Sequence, residues 1–500
     1  MWTPFVTNID YNAKGQRARI DYANGAKTTY EYDDKTFRLT HLNTTRPPST
    51  GGFLGGLFGN PNALASQIFK NVTTVQDLHY TYDPAGNITR IQDDALQTGI
   101  HSGQTVEPVC QYSYDALYRL IEATGREHIG QSAFAFNPPD GNYRDLPFVG
   151  AGQLNDLQAV RNYTERYEYD PVGNFERMVH QAASGNWTRA YSYNENSLIE
   201  LPKKSNRLSS TTLQPNGTPP VEPYAYDAHG NMTKMPHLPQ MRWDFEDQLS
   251  ASSRQVVNSG TPETTYYVYD AGGQRVRKVT ETQAGARKNE RFYLGGFEIY
   301  REYRNGAVNL TRETLHVMDD KQRIAPVETK TLENGNPINT PVPAQRYQFG
   351  NHLGSASLEL DEAGGLVSYE EYSPYGSTAY QAGRSAAEVS LKRYRYTGKE
   401  RDEETGFSYH GARYYSAWLG RWVSCDPAEI PKSPNLYEYV SSRPLILVDK
   451  TGLSSSHWVN FSLLDELAEA IDSNLNAAAR NNANQPPKEP VNIPLAVAHR

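Results

Sequence analysis

The sequence predicts an all-β protein built from repeated antiparallel hairpins, and three observations carry that prediction. One unit, Tyr-x-Tyr-Asp-x-x-Gly-Asn, recurs along the chain. Tyrosine is in surplus, 35 against 15 Phe, and its ring suits a pleated, half-buried strand surface with the hydroxyl near a polar partner. Glycine and proline, 38 and 31 residues, interrupt the 500-residue chain too often for long helices over most of its length.

The clearest copies are Tyr80-Thr-Tyr82-Asp83-Pro-Ala-Gly86-Asn87 and Tyr167-Glu-Tyr169-Asp170-Pro-Val-Gly173-Asn174. Two more read Tyr224-Ala-Tyr226-Asp227-Ala-His-Gly230-Asn231 and Tyr267-Val-Tyr269-Asp270-Ala-Gly-Gly273-Gln274. Weaker copies stand at Tyr30–Asp33, Tyr112–Asp115 and Tyr191–Asn194, and Asp10-Tyr11-Asn12 with Gly15 is a worn one. Positions i and i+2 of a strand share a face, so each tyrosine pair forms a two-ring stripe. Asp followed three places later by Gly makes a tight turn, the carboxylate capping backbone N–H groups and Gly taking the left-handed dihedral. An alternating run follows, as in Ile88-Thr-Arg-Ile91 and Val276-Arg-Lys-Val279. Each unit is therefore strand, turn and returning strand. Single hairpins are not stable alone, so the units are expected to pair edge to edge.

Segments 46–61, 132–160 and 209–223 read as separators between units, and the Pro/Asn/Gly-rich stretch from Glu333 to Pro343 reads as a linker closing the repeats. After residue 453 the character changes. Leu463, Leu464, Leu467, Ile471 and Leu475 have helical spacing before a polar Asn/Pro tract, which predicts a short amphipathic helix and a polar tail.

The net charge of −8 leaves no basic surplus to neutralise phosphates, which argues against a nucleic-acid partner. No run of 18 apolar residues is present, so no membrane span is expected. The first residues lack the basic and apolar regions of a secretory signal. Two cysteines, Cys110 and Cys425, support neither a disulfide framework nor a zinc site. No dinucleotide turn, phosphate loop or metalloprotease motif occurs, so neither a metal nor another cofactor is expected.

The tyrosine–aspartate units resemble the YD (RHS) repeats of bacterial Rhs polymorphic toxins, Tc-toxin C components and animal teneurins. The stretch 346–453 carries the more specific likeness. It contains Tyr372-Ser-Pro-Tyr-Gly376, Tyr394-Arg-Tyr-Thr-Gly-Lys-Glu-Arg-Asp402, Gly411-Ala-Arg-Tyr-Tyr415, Asp426-Pro427 and Asp449-Lys-Thr-Gly-Leu453, in the order of the RHS-associated core domain.

The resemblance implies a YD-repeat β-shell over 1–345, an RHS core plugging it over 346–453, and a variable C-terminal tail over 454–500. It also implies a delivery protein that encloses its own C-terminal effector and works with a larger toxin-complex subunit that completes the shell. An immunity protein or chaperone, and secretion or delivery without a Sec signal, belong to the same expectation. The family core acts as an intramolecular aspartic protease. Carried over by position, Asp426 and Asp449 are the carboxylate pair, Arg413 orients them, and the Leu453–Ser454 bond is cut.

Elementary chemistry fits that assignment. Two facing carboxylates share a proton, so one can activate water while the other donates. Lys450 stands where the family has proline. Its ammonium beside the pair would favour two ionised carboxylates and weaken catalysis. The rival readings are a non-cleaving structural or adhesive YD-repeat protein at a cell surface, in which Asp449 is one more turn aspartate, and a thiol site from Cys425 and His410, against which Cys425 is expected to be a buried structural residue.

Overall fold

The computed structural model describes residues 3–48, 62–132, 159–197, 200–214, 221–254, 261–319, 322–384, 392–427 and 433–457. Most of the separators 46–61 and 132–160, and the expected helix and tail after residue 457, lie outside them.

The described residues are almost entirely strand. A thirteen-stranded antiparallel sheet runs from Val6–Tyr11 to Val221–Pro223, with strands that follow one another in sequence lying side by side. One small hairpin, Gly99–His101 with Gln104–Val106, pairs apart from it. A ten-stranded sheet begins at Gln240–Trp243 and ends with Pro343–Gln345. A four-stranded sheet then starts at Tyr347–Gly350, and short strands follow: Glu400–Arg401, Ser408–Tyr409, Tyr414–Ser416 and Arg421–Trp422. One helix, Ala63–Ile68, stands among the described residues. None of their helices is long and apolar enough to cross a membrane.

The repeat builds its turn as the sequence predicts. Asp83 Oδ1 accepts from the N–H groups of Gly86 (2.7 Å) and Asn87 (2.9 Å), while the Asn87 amide donates to Oδ2 at 2.8 Å. Asp170 and Asn174 repeat the arrangement at 2.8 and 2.9 Å. Gly86 sits at φ +103°, where an L side chain is strained. The two tyrosines of a unit, however, are not equivalent. The first (Tyr80, Tyr167, Tyr224, Tyr267) is buried. The second follows a register shift in the strand, as between Thr81 and Tyr82.

That shift aims the second ring's hydroxyl at the preceding strand. Tyr32 donates to the carbonyl of Arg17 (3.0 Å), Tyr82 to Leu39 (2.7 Å), Tyr114 to Ile88 (2.6 Å), Tyr169 to Leu120 (2.7 Å) and Tyr269 to Leu249 (2.9 Å). Five units are thus tied to their predecessors by a side-chain bond outside the strand ladder.

Two separators prove to be sheet. Residues Ser210–Gln214 and Val221–Pro223 are the last two strands of the large sheet, in register through Thr211 and Glu222. The expected linker is a hairpin: Arg323–Glu333 turns through Asn334 (φ +51°) and Gly335 (φ +77°) to pair with Asn336–Pro337, and Pro343–Gln345 pairs with the same strand. Asn-Gly is a strong two-residue hairpin signal, and its turn chemistry overrides the polar composition.

The segment from 346 onward buries itself against the repeats. One apolar cluster joins Tyr167, Tyr191, Tyr224 and Tyr267 to Tyr415, Trp418 and Trp422. Arg275 of the repeats lies buried between Asp402 (2.6 Å) and Glu400 (2.8 Å). Breaking a buried pair like this costs more than an exposed one, because it strands a charge out of water.

Candidate active site

Three short pieces converge where the sequence places the carboxylate pair. Arg413 sits in the turn between strands Ser408–Tyr409 and Tyr414–Ser416. The latter strand pairs with Arg421–Trp422, and the chain leaving Trp422 reaches Asp426, whose N–H donates to the carbonyl of Leu436 at 3.0 Å. Asp449 ends strand Leu447–Asp449, which pairs with Ser455–His457 through Asp449 and Ser455. Residues 450–454, including the Leu453–Ser454 bond, form the loop of that hairpin.

Arg413 joins all three. Its guanidinium lies 3.3 Å from an Asp426 oxygen and 3.3 Å from Asp449 Oδ2, and its Nε donates to the Gly452 carbonyl at 2.5 Å. The guanidinium rests on the Trp422 ring, 4.2 Å from its centroid, a cation–π contact that holds its plane. The turn it grips is tightly packed. Gly452 takes φ +77°, and a Cβ there would stand 2.8 Å from the Arg413 backbone nitrogen. Ala412 N–H donates to the Thr451 carbonyl at 2.9 Å.

The two carboxylates differ in surroundings. Asp449 has a side chain 3% exposed, against 21% for Asp426. Burial raises the Asp449 pKa above its ordinary value, outweighing Arg413 and the N–H groups of Gly452 and Thr451, while the charge of Asp426 pushes it further up. Asp449 Oδ1 accepts from those N–H groups at 2.7 and 3.2 Å. Arg413 supplies the positive charge between the carboxylates that a divalent ion supplies in metal-dependent pairs. Burial works against that charge, and Asp426 and Asp449 sustain it.

The Lys450 side chain is exposed, and the largest charge effects on Asp449 come from Arg413 and Asp426. What residue 450 contributes inward is its carbonyl, which accepts a bond from Lys399 Nζ. Burial lowers the Lys399 pKa to about 8, with Asp449 opposing and Arg323 and Lys450 adding to the fall. In the sequence Lys399 stands inside the Tyr394–Asp402 stretch of the family likeness with no role assigned to it. A lysine 50 residues from the aspartate it faces leaves no local signal.

His410 and Cys425 take separate parts. His410 Nδ1 donates to the Asp449 carbonyl at 2.6 Å, and burial, with Lys399 nearby, holds the ring pKa well below its usual value, so the ring is neutral. Cys425 is half-buried and contacts the Tyr437 hydroxyl at 3.1 Å. Its thiol pKa is raised by burial, the opposite of an activated nucleophile.

Comparison with known proteins identifies the family. The chain is 35% identical over 460 residues to toxin subunit YenC1 of Yersinia entomophaga, covering 91% of this chain and 43% of that protein. The solved TcdB2–TccC3 complex without its hypervariable C-terminal region matches with a TM-score of 0.70 at 31% identity, over 90% of this chain and 19% of that one. A Photorhabdus luminescens Tc holotoxin pore matches with TM-score 0.70 and 30% identity over the same shares. The chain is similar to Rhs/YD-repeat proteins and to the C components of Tc toxins. No family model matches the YD-repeat chain. It spans less than half the length of the toxin subunit it matches.

Proposed function

We propose that this YD-repeat chain is part of a toxin-delivery container that cuts its own backbone after Leu453. The larger partner that completes the wall is of the TcdB2 type, the enclosed cargo is the segment beyond the cut, and the assembly acts outside the producing cell. Likeness to TcdB2–TccC3, a structure solved also without its hypervariable C-terminal region, supports the partner and the cargo.

One observation carries the proteolytic part: a single buried arginine spans Asp426 and Asp449 and binds the carbonyl of Gly452, the residue before Leu453. Asp449, whose pKa is raised, holds the shared proton, and the more exposed Asp426 takes a proton from water. The water oxygen adds to the Leu453 carbonyl carbon. The C–N bond to Ser454 then breaks as its nitrogen is protonated, leaving a carboxylate on Leu453 and an amine on Ser454. Arg413 holds the peptide in place through Gly452. Because substrate and catalyst share one chain, a high effective molarity suffices for a single turnover.

A structural reading has its own support, since Asp449 Oδ1 accepts turn N–H groups just as Asp83 does. A denaturing gel with intact mass decides between them. The container-protease reading expects a 47-residue piece starting at Ser454, absent after Asp449→Asn or Asp426→Asn. A single full-length band from the unmodified chain favours the structural reading.

A further inference from the structure

A second constellation lies far along the chain from the carboxylate pair, on the strands Leu39–Thr45 and Thr74–Tyr82. His41 and His79 stand directly opposite each other in register, and Asp77, two residues before His79, shares their face. One ligand atom from each of the three lies within 4.8 Å of the others. His41 Nε2 is 2.6 Å from Asp77 Oδ1, and His79 Nε2 is 3.5 Å from the same oxygen. Further carboxylates flank them, Glu31 at 3.5 Å from His41 Nδ1 and Asp94 at 3.6 Å from His79 Nε2.

A lone surface His–Asp hydrogen bond accounts for His41 and Asp77, but not for the second imidazole. The second ring stacks on the first, 4.2 Å between centroids and 10° from parallel, which places both imidazoles beside Asp77. We propose that His41, Asp77 and His79 bind one divalent transition-metal ion of the zinc class.

Two nitrogens and one oxygen select such an ion over magnesium or calcium, which take oxygen ligands. Zinc bonds of about 2.0–2.2 Å to nitrogen and oxygen set ligand atoms roughly 3–3.5 Å apart; the His79–Asp77 distance of 3.5 Å meets that spacing, and the His41–Asp77 distance of 2.6 Å, a hydrogen bond without the ion, lengthens to meet it. The rings are too nearly parallel for both to aim at one ion, so His79 must turn inward. It is free to do so, with a side chain 45% exposed against 21% for His41. That exposure also leaves the remaining coordination positions to water. The ion would clamp two neighbouring strands that 28 residues of chain separate.

Equilibrium dialysis of the chelator-stripped full-length chain against zinc chloride tests the site. The expected result is one zinc per chain at this site, with affinity falling at least about tenfold in His79→Ala, in His79→Gln and in Asp77→Asn. His229→Ala, at the exposed His229–Asp247 pair (2.8 Å), should bind zinc as the unmodified chain does. Zinc should raise the melting midpoint of the unmodified chain and not that of His79→Gln. Failure of the chain to retain zinc, or equal affinity in the two His79 variants and the unmodified chain, overturns the site. His79 is exposed, so its variants should fold, and the midpoint without zinc checks that they do.

Discussion

The turn at Asp83 and the turn at Asp449 share one bond and reach opposite electrostatic ends. Each aspartate accepts the N–H three residues on, at 2.7 Å in both, and each is followed by a glycine with positive φ. At Asp83 slight burial raises the pKa, but the Asn87 and Gly86 bonds outweigh it and the net shift is downward. At Asp449 burial dominates and the shift is upward. The Asn87 bonds that lower the Asp83 pKa have no counterpart at Asp449, where burial prevails over the turn N–H groups and Arg413.

The largest effect that sharpens this contrast is on cleavage. Asp449→Asn should slow it by at least about 100-fold, whereas Asp83→Asn should leave it unchanged, as band intensities over time will show. Equal cleavage in the two variants would break the comparison.

The pH dependence comes next. Because the folded pKa of Asp449 lies above its ordinary value, the proton is held to higher pH than in a free aspartate. Cleavage should therefore be lost as pH rises through that raised value, and time courses in mildly acidic and mildly alkaline buffer should differ in favour of the acidic one. A faster reaction on the alkaline side would remove Asp449 as proton holder.

Glycine substitutions separate the turns by packing. Gly452→Ala places a Cβ 2.8 Å from the Arg413 backbone nitrogen, at φ +77°, and should cost about 1–2 kcal/mol together with most of the cleavage. Gly86→Ala meets only the end of the Arg38 side chain. It should cost a similar amount in denaturant unfolding while sparing cleavage.

The smallest effects test the tyrosine ties. Tyr82→Phe removes one bond to a backbone carbonyl, 2.7 Å long, and should cost about 1 kcal/mol, whereas Tyr269→Phe removes a 2.9 Å bond to a carbonyl and a 2.8 Å bond to the Tyr414 hydroxyl and should cost more. Unfolding midpoints of these variants equal to that of the unmodified chain would mean the ties are not what stabilises the repeats.

Much of the fold was legible because its determinants are local. A carboxylate capping N–H groups three and four residues ahead, a glycine free to take positive φ, and alternation with period two all lie within one unit of sequence. By themselves they determined strand, turn and return in copy after copy. The sequence also singled out Asp426, Asp449 and Arg413 through resemblance. The tertiary structure decided what neighbours in sequence do not encode. It set the strand character of Ser210–Gln214, Val221–Pro223, Asn336–Pro337 and Pro343–Gln345, and the exposed side chain of Lys450. It brought Lys399 and His410 to the Asp449 turn and put Arg413 between two aspartates 23 residues apart. Hydrogen bonds within a turn depend on adjacent residues, whereas desolvation depends on whatever the whole chain packs around a group, and only the folded chain supplies that.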